Sequence, residues 1–228
     1  MTDGPLIVQS DHTLLLEIDH PQAQECRREI AVFAELERSP EHVHTYRLTK
    51  LGLWNARAAG HDAEAIVDTL VRFSRFPVSP ALLLDVTDTV SRYGRLELHN
   101  HPAHGLVLVS HDRAVLTEVQ RHKKTAGMLG AQIDEDTVVV HPSERGRLKQ
   151  ALLAIGWPAD DLAGYVDGEQ HPIALRQEGW ELREYQQQAA ENVFHGGSGV
   201  VVLPCGAGKT IVGAATMAMA GATTLILV

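Results

Sequence analysis

Eight residues near the carboxyl end carry the densest chemical information in the chain: Leu203-Pro204-Cys205-Gly206-Ala207-Gly208-Lys209-Thr210. They follow the apolar run 200–203 and precede the small-residue run 211–219, so they read as a strand, a loop and the start of a helix. Gly206 and Gly208 let the backbone curl until successive amides face one point, and a helix opening at Lys209 aims its positive dipole end there. Such a loop binds phosphate. Lys209 is placed to reach the β- and γ-phosphates of a nucleotide, and the Thr210 hydroxyl to hold Mg²⁺. The pattern G-x-x-x-x-G-K-[ST] is incomplete, because Leu203 stands at its first glycine. The alternative is a tight strand-to-helix turn that binds nothing.

Hydrolysis of a bound nucleotide needs a carboxylate near Mg²⁺ and a group that orients the attacking water. Residues 211–228 contain no charged side chain. The sequence therefore predicts the amino-terminal part of a longer ATPase, cut after its second core strand at 224–228. The same uncharged stretch has the nominal length of a membrane span. It is rich in Ala, Gly and Thr, is interrupted at Gly221, and begins at the Lys-Thr of the loop, so a buried helix followed by a strand is expected and no membrane contact.

The remainder of the composition is that of a globular protein, with 44% hydrophobic and 21% charged residues. A net charge of -9 argues against a broad basic surface, so contact with nucleic acid must be local or made by the missing part. Cys26 and Cys205 are too few for a disulfide framework, and Met1-Thr2-Asp3-Gly4-Pro5 lacks the basic-then-apolar order of a secretory signal. A cytoplasmic protein is expected.

The loop must be held by elements upstream. Leu6-Ile7-Val8 and Leu14-Leu15-Leu16 with Ile18, on either side of Ser10-Asp11-His12, predict a β-hairpin. A helix is expected after Asp19-His20-Pro21, carrying Cys26, Ile30, Phe33, Ala34 and Leu36 until Ser39-Pro40 stops it. Further helices are predicted through Leu51, Trp54 and Ala58, from Asp62 with Ile66, Leu70 and Phe73 on one face, and after Ser79-Pro80. Residues 95–99 and 106–109 predict a second hairpin across the turn 100–105. Helices followed by a hairpin suggest a winged-helix-like unit between Tyr46 and Ser110. Its last helix offers Asp85 and Asp88 against Arg92, a poor surface for phosphates, so packing or docking suits it better than DNA reading.

Residues 132–140 predict a strand and 145–155 a helix with Ser143 as its N-cap, and 160–170 reads as an acidic linker. A helix is then expected from Leu182, with Leu182, Tyr185, Ala189 and Val193 on its apolar face. His99, His101 and His104 could converge on Zn²⁺, but without Cys or carboxylate to complete a set they read as exposed turn residues.

Leu182-Arg183-x-Tyr185-Gln186 placed ahead of the loop 203–210, with Leu in place of the first glycine, resembles the XPB family of superfamily-two DNA helicases. Ser79-Pro80 followed by residues 91–98 (Ser-Arg-Tyr-Gly-Arg-Leu-Glu-Leu) resembles that family's helicase-associated region, and residues 138–157 resemble its damage-recognition region. The resemblance implies an ATP-dependent 3′ to 5′ DNA helicase or translocase of nucleotide excision repair, using ATP and Mg²⁺. Its partners would be DNA and a repair nuclease or transcription factor. It further implies that Gln186 reads the adenine edge and Arg183 supports that pocket, beside Leu203, Pro204, Cys205, Gly206, Ala207, Gly208, Lys209 and Thr210 on the phosphates.

The fold class expected is an α+β amino-terminal region with a winged-helix-like unit, followed by the truncated start of an α/β RecA-like P-loop domain. Borders are expected at 1–115, 116–175 and 176–228. A partner-docking or DNA-binding module with an idle nucleotide loop is the competing reading. A metabolic kinase is disfavoured, since it has no need of Arg183 and Gln186 at this distance upstream.

Overall fold

The structure, a computed structural model, describes residues 4–166 and 168–227, and these form two compact units, Met1–Gly164 and Tyr165–Val228. In the first unit the alternating opening sequence makes the predicted hairpin. β1 (Leu6–Val8) pairs with β2 (Thr13–Glu17), Leu6 opposite Leu16 and Val8 opposite Leu14. The Asp11 carboxylate accepts the Thr13 amide at 3.0 Å, and His12 takes φ 70°, so a local Asx turn fixes the register.

α1 (Ala23–Ile30) is shorter than its apolar spacing predicts. The amides of Val32 and Phe33 bond to the carbonyls of Glu29 and Ile30, which tightens and ends the helix. Ala34 and Leu36 then belong to β3 (Ala34–Arg38), which turns at Ser39-Pro40 into β4 (Val43–Leu48). Ile30, Phe33 and Ala34 keep helical spacing only because a helix hands over to a strand there. β3 is an edge strand with Ala34 alone buried, so it carries no alternating pattern that could have announced it.

The first sheet has the order β1-β2-β4-β3. Three helices follow as predicted: α2 (Lys50–Ala58), α3 (Ala63–Phe73) and α4 (Pro80–Ser91). Thr49 and Asp62 cap α2 and α3 through their side chains at 2.9 and 2.8 Å, and Pro80 occupies the first turn of α4. Leu14 and Leu16 from the sheet, Ile30 from α1, and Ile66, Leu70 and Val86 from the helices share one core.

The second hairpin, β5 (Leu96–His101) and β6 (Gly105–Ser110), also forms as predicted, but it lies in a different sheet from the helices' own. With β7 (Leu129–Gln132), β8 (Thr137–Val140) and β9 (Ala159–Asp161) it builds the order β7-β8-β6-β5-β9, in which β9 pairs parallel to β5. α5 (Arg113–Arg121) and α6 (Arg145–Ile155) cover this sheet, and Leu98, Leu108, Leu116, Val138, Leu148 and Leu152 form the second core. The hairpin's buried leucines therefore face α5 and α6 rather than close over α2–α4 as a wing. The border expected at residue 115 falls inside α5, whose Val115, Leu116 and Val119 all belong to this core.

Three smaller expectations change for local reasons. The strand predicted over 132–140 is two strands, β7 and β8, because the Asp134 carboxylate accepts the Asp136 amide at 2.9 Å and turns the chain. Ser143 does not cap α6: it lies in a 3₁₀ turn, Pro142–Glu144, and Glu144 occupies the cap position. Asp160 and Asp161, expected in a linker, are in β9, where Asp161 accepts from Arg145 at 2.6 Å and Lys149 at 2.8 Å. Burial pushes the Asp161 carboxyl up, but the Arg145 and Lys149 bonds outweigh it and hold it below the usual carboxylate range.

The second unit contains α7 (Glu184–Gly196) and α8 (Lys209–Ala220), both predicted. Leu182 and Ala189 pack against the core of this unit as expected, Gln186 and Ala190 are the buried residues of α7, and Tyr185 is partly exposed. The predicted strands at 200–203 and 224–228 form no ladder among the described residues, and Val228, like Asp167, lies outside them. The backbone from Glu169 to Thr223 is instead joined by one antiparallel bridge, Gln170 to Ala222, with the Thr223 amide on the Glu169 carbonyl at 2.9 Å. Among the described residues, no helix is long and apolar enough to cross a membrane.

Candidate nucleotide-binding site

The loop and the helix behind it take the geometry that their glycines permit. Gly206 has φ 79° and Gly208 has φ 83°, both in the left-handed region that side chains resist. Gly208 is the N-cap of α8, and its carbonyl accepts the amides of Ile211 and Val212 at 2.9 and 3.1 Å. A Cβ on Gly208 would stand 2.6 Å from Gln186 Nε2, whereas one on Gly206 would meet nothing within 4 Å. Gly208 is thus packed from behind, and the Gly206 side of the loop is open to a ligand.

Gln186 is the brace behind Gly208. Its side chain is 5% exposed, Nε2 donates to the Ala207 carbonyl at 2.9 Å, and Oε1 accepts the Arg183 amide at 3.0 Å. The second bond is the reach-back half of a capping box and satisfies the first amide of α7. One amide therefore ties the start of α7 to the nucleotide loop. Tyr185 adds a second tie, its hydroxyl donating to the same Ala207 carbonyl at 2.9 Å. The sequence motif contains Tyr185, but an aromatic at helical spacing reads as core, so its part in holding the loop shows only in the fold.

The remaining predicted site residues fall as follows. Lys209 Nζ is exposed and donates to the Pro204 carbonyl at 3.0 Å, spanning the loop where a phosphate oxygen would compete for it. Thr210 is exposed in the first turn of α8, and Cys205 is an exposed free thiol within the loop. Leu203 packs against the small cluster of Ala190, Val212 and Ala215, which accounts for an aliphatic residue where a glycine is usual. The Arg183 guanidinium reaches the Tyr185 hydroxyl at 3.5 Å. The loop brings Pro204, Gly206, Ala207, Gly208, Lys209 and Thr210 to one place, and Gln186 reaches it from α7.

The histidines of the β5–β6 turn do not converge. His99 Nε2 bonds Glu97 at 2.7 Å, His111 reaches the same carboxylate at 3.2 Å, and His101 stacks on His104 with ring centroids 4.9 Å apart. Among the described residues, no group of three or more His, Cys, Asp or Glu side chains could hold a metal ion.

Comparison with known proteins places the chain in a family. The family described as Helicase conserved C-terminal domain matches residues 6–134, and the family described as Type III restriction enzyme, res subunit, matches residues 179–228, the part that holds Gln186 and the loop. The whole chain is 73% identical to a protein of Mycobacterium tuberculosis named DNA 3'-5' helicase XPB, of which it covers 42%. It is 70% identical to a protein of the same name from Kineococcus radiotolerans, covering 41%. It is also 24% identical, over 99% of its length, to 38% of an Enterocytozoon bieneusi protein named general transcription and DNA repair factor IIH helicase/translocase subunit XPB. The chain spans about two fifths of the length of these relatives. With an identity of 73% along its entire length, and with the helicase conserved C-terminal domain matched over residues 6–134, the chain belongs to the XPB family of superfamily-two DNA helicases.

Proposed function

We propose that this chain is the nucleotide-binding part of an ATP-dependent 3′ to 5′ DNA helicase or translocase acting in excision repair. The observation that carries this reading is the braced loop: two left-handed glycines, an exposed Lys209 held only by the Pro204 carbonyl, and a buried Gln186 fixed to Ala207. The residues fit a nucleotide with Mg²⁺. The space beside Gly206 is open, Lys209 supplies the charge, and Thr210 offers a hydroxyl oxygen in the first turn of a helix. When bound, Mg²⁺ with ATP would neutralise phosphate charge. Lys209 exchanges its carbonyl partner for phosphate oxygens, and the α8 amides orient them.

Gln186 Nε2 has a short bond to Ala207 and a long one, 3.5 Å, to the Tyr185 hydroxyl; exchanging the long one for an adenine acceptor, with the second Oε1 lone pair as acceptor, would supply the pair that an adenine edge needs. Arg183, at the first turn of the same helix, supports that pocket. The RecA-like part begins near residue 176, consistent with a family match that starts at 179. A protein partner from the transcription or repair machinery follows from the name of the Enterocytozoon relative, a subunit of factor IIH.

Titration of the 228-residue chain with a fluorescent ATP analogue and Mg²⁺ tests the reading. Binding that is competed by ATP and lost in Lys209→Ala is expected, because a charged partner to phosphate is worth more than a neutral hydrogen bond. Equal binding by the Lys209→Ala chain would overturn it and favour the idle-loop reading.

A further inference from the structure

Outside the nucleotide loop, the second sheet carries a basic turn that neither packing nor ion pairing accounts for. Between the end of α5 and the 3₁₀ turn Ala126–Met128 the chain reads Arg121-His122-Lys123-Lys124, in a protein whose net charge is -9. Arg121, Lys123 and Lys124 are exposed, and among the described residues none has a carboxylate within ion-pair distance. At the opposite end of the same helix the cation is satisfied, Arg113 pairing with Glu135 and lying 3.6 Å from Asp136.

The turn is built rather than loose. Thr125 is fully buried, and its hydroxyl donates to the Val119 carbonyl. The His122 carbonyl accepts the amides of Thr125 and Ala126 at 3.0 and 2.9 Å, and the His122 ring accepts the Lys124 amide at 3.1 Å. Three cations are thereby presented on a backbone pinned at both ends. The helix dipole favours cations at a carboxyl end, but it acts within the last turn and accounts for Arg121 alone. Lys123 and Lys124 lie beyond α5 and gain little from it.

We infer that the turn Arg121-His122-Lys123-Lys124 is an anchoring site for the phosphodiester backbone of nucleic acid, separate from the nucleotide loop. This rests on the DNA-directed reading above. Phosphates spaced along a strand are matched by several cations on a fixed support, and such contacts position a duplex without reading its sequence. In an acidic chain a cluster of three exposed cations within four residues is a place where such a contact can be made.

The test measures binding of the 228-residue chain to a fluorescein-labelled mixed-sequence DNA duplex by anisotropy, from 50 to 200 mM KCl, for the wild type and for Arg121→Gln/Lys123→Gln/Lys124→Gln. Each phosphate contact contributes about 0.9 to the slope of log K against log salt. The triple variant is expected to lose about two to three units of slope and roughly tenfold or more in affinity at 100 mM. Arg27→Gln/Arg28→Gln on α1, exposed cations remote in sequence, serves as the charge control and should change the slope by less than one unit. An unchanged slope in the triple variant, or an equal loss in the control, overturns the anchor. So does competition by polyglutamate as effective as that by unlabelled DNA, which would mark an acidic-peptide site instead. No binding of DNA by the wild type at 50 mM also overturns it. ATP-analogue binding is measured in parallel: its failure in the wild type would count against the nucleotide reading and leave the slope result standing.

Discussion

The two units of this chain bury their apolar residues to very different extents. Among the described residues of Met1–Gly164, two sheets and six α-helices close two cores, and Leu6, Leu14, Leu16, Leu96, Leu98 and Leu108 are fully buried. In Tyr165–Val228 the described core is a small cluster around Ala190, Val212 and Ala215, while Val200 is 89% exposed, Val202 87% and Leu225 82%. An apolar cleft of about 430 Å³ runs along α8 beside Val193, Val201, Val212 and Met217. Both units contain strand-like apolar runs, but only the first supplies them with partners. A strand is a property of a pair, since its backbone groups and one face are satisfied by neighbours distant in sequence. The loop 203–210 needs only two glycines, a helix start and one buried amide to take its shape, so it is formed in a unit that is otherwise open.

That contrast is broken most directly by truncating one leucine in each unit. Leu98→Ala removes a fully buried side chain from the second core and should cost about 2–5 kcal/mol. Leu225→Ala, at an exposed position, should change stability by no more than about 0.5 kcal/mol. Urea unfolding followed by circular dichroism reads both, and similar costs for the two would mean that residues 224–227 are packed in solution.

Asp161 gives a smaller effect with a pH signature. Asp161→Asn replaces the charged acceptor of the Arg145 and Lys149 bonds and should cost about 1.5–3 kcal/mol near neutral pH. The folded Asp161 carboxyl titrates below its ordinary range, so its contribution is present above the unfolded pKa and disappears as pH falls through the folded one. Wild type and variant should therefore converge in stability as the pH is lowered below about 4. A constant difference down to pH 2 would remove Asp161 as the cause.

Gly208→Ala should cost about 1–2 kcal/mol for the left-handed backbone, with a further penalty because the new Cβ would meet the Gln186 amide at 2.6 Å. Gly206→Ala carries the same backbone cost into open space. Thermal unfolding of the ligand-free chain should show the larger loss of stability for Gly208→Ala, and equal losses would mean that the Gln186 side chain moves aside for the new Cβ.

These outcomes bear on what was legible in the sequence. Capping residues and turn chemistry announce the helices of the first unit well, as at Thr49, Asp62 and Pro80, since a cap is a local event. The phosphate loop is legible for the same reason. The end of α1 was hidden because Phe33 and Ala34 satisfy both a helix and the strand that follows. The assignment of the second hairpin to its own sheet was hidden because nothing local to residues 95–110 names β8 or β9 as partners. The sequence motif names Gln186, but its bond to Ala207 was not legible, because it joins positions brought together by the packing of α7 against α8.

Gln186 sharpens the comparison at its finest point, since one amide carries both a local structural bond and a proposed ligand contact. Its bonds to Ala207 and Arg183 shape the loop for any nucleotide, so their loss should weaken ATP and GTP alike, by about 0.5–1.5 kcal/mol per bond. The hydrogen now on the Tyr185 hydroxyl at 3.5 Å and the second Oε1 lone pair are the groups that would contact a base edge. Adenine offers N7 as acceptor and its amino group as donor, and guanine presents an acceptor where adenine has the donor. Gln186→Ala should therefore lower both affinities and, in addition, reduce the ratio of ATP to GTP affinity by up to ~10-fold. Competition titrations of the variant with the two nucleotides separate the effects, because the shared bracing cancels in the ratio. If both affinities fall while the ratio holds, Gln186 braces the loop and base recognition belongs elsewhere. If the ratio collapses with little common loss, the Tyr185 hydroxyl at 2.9 Å from Ala207 is sufficient to hold the loop by itself.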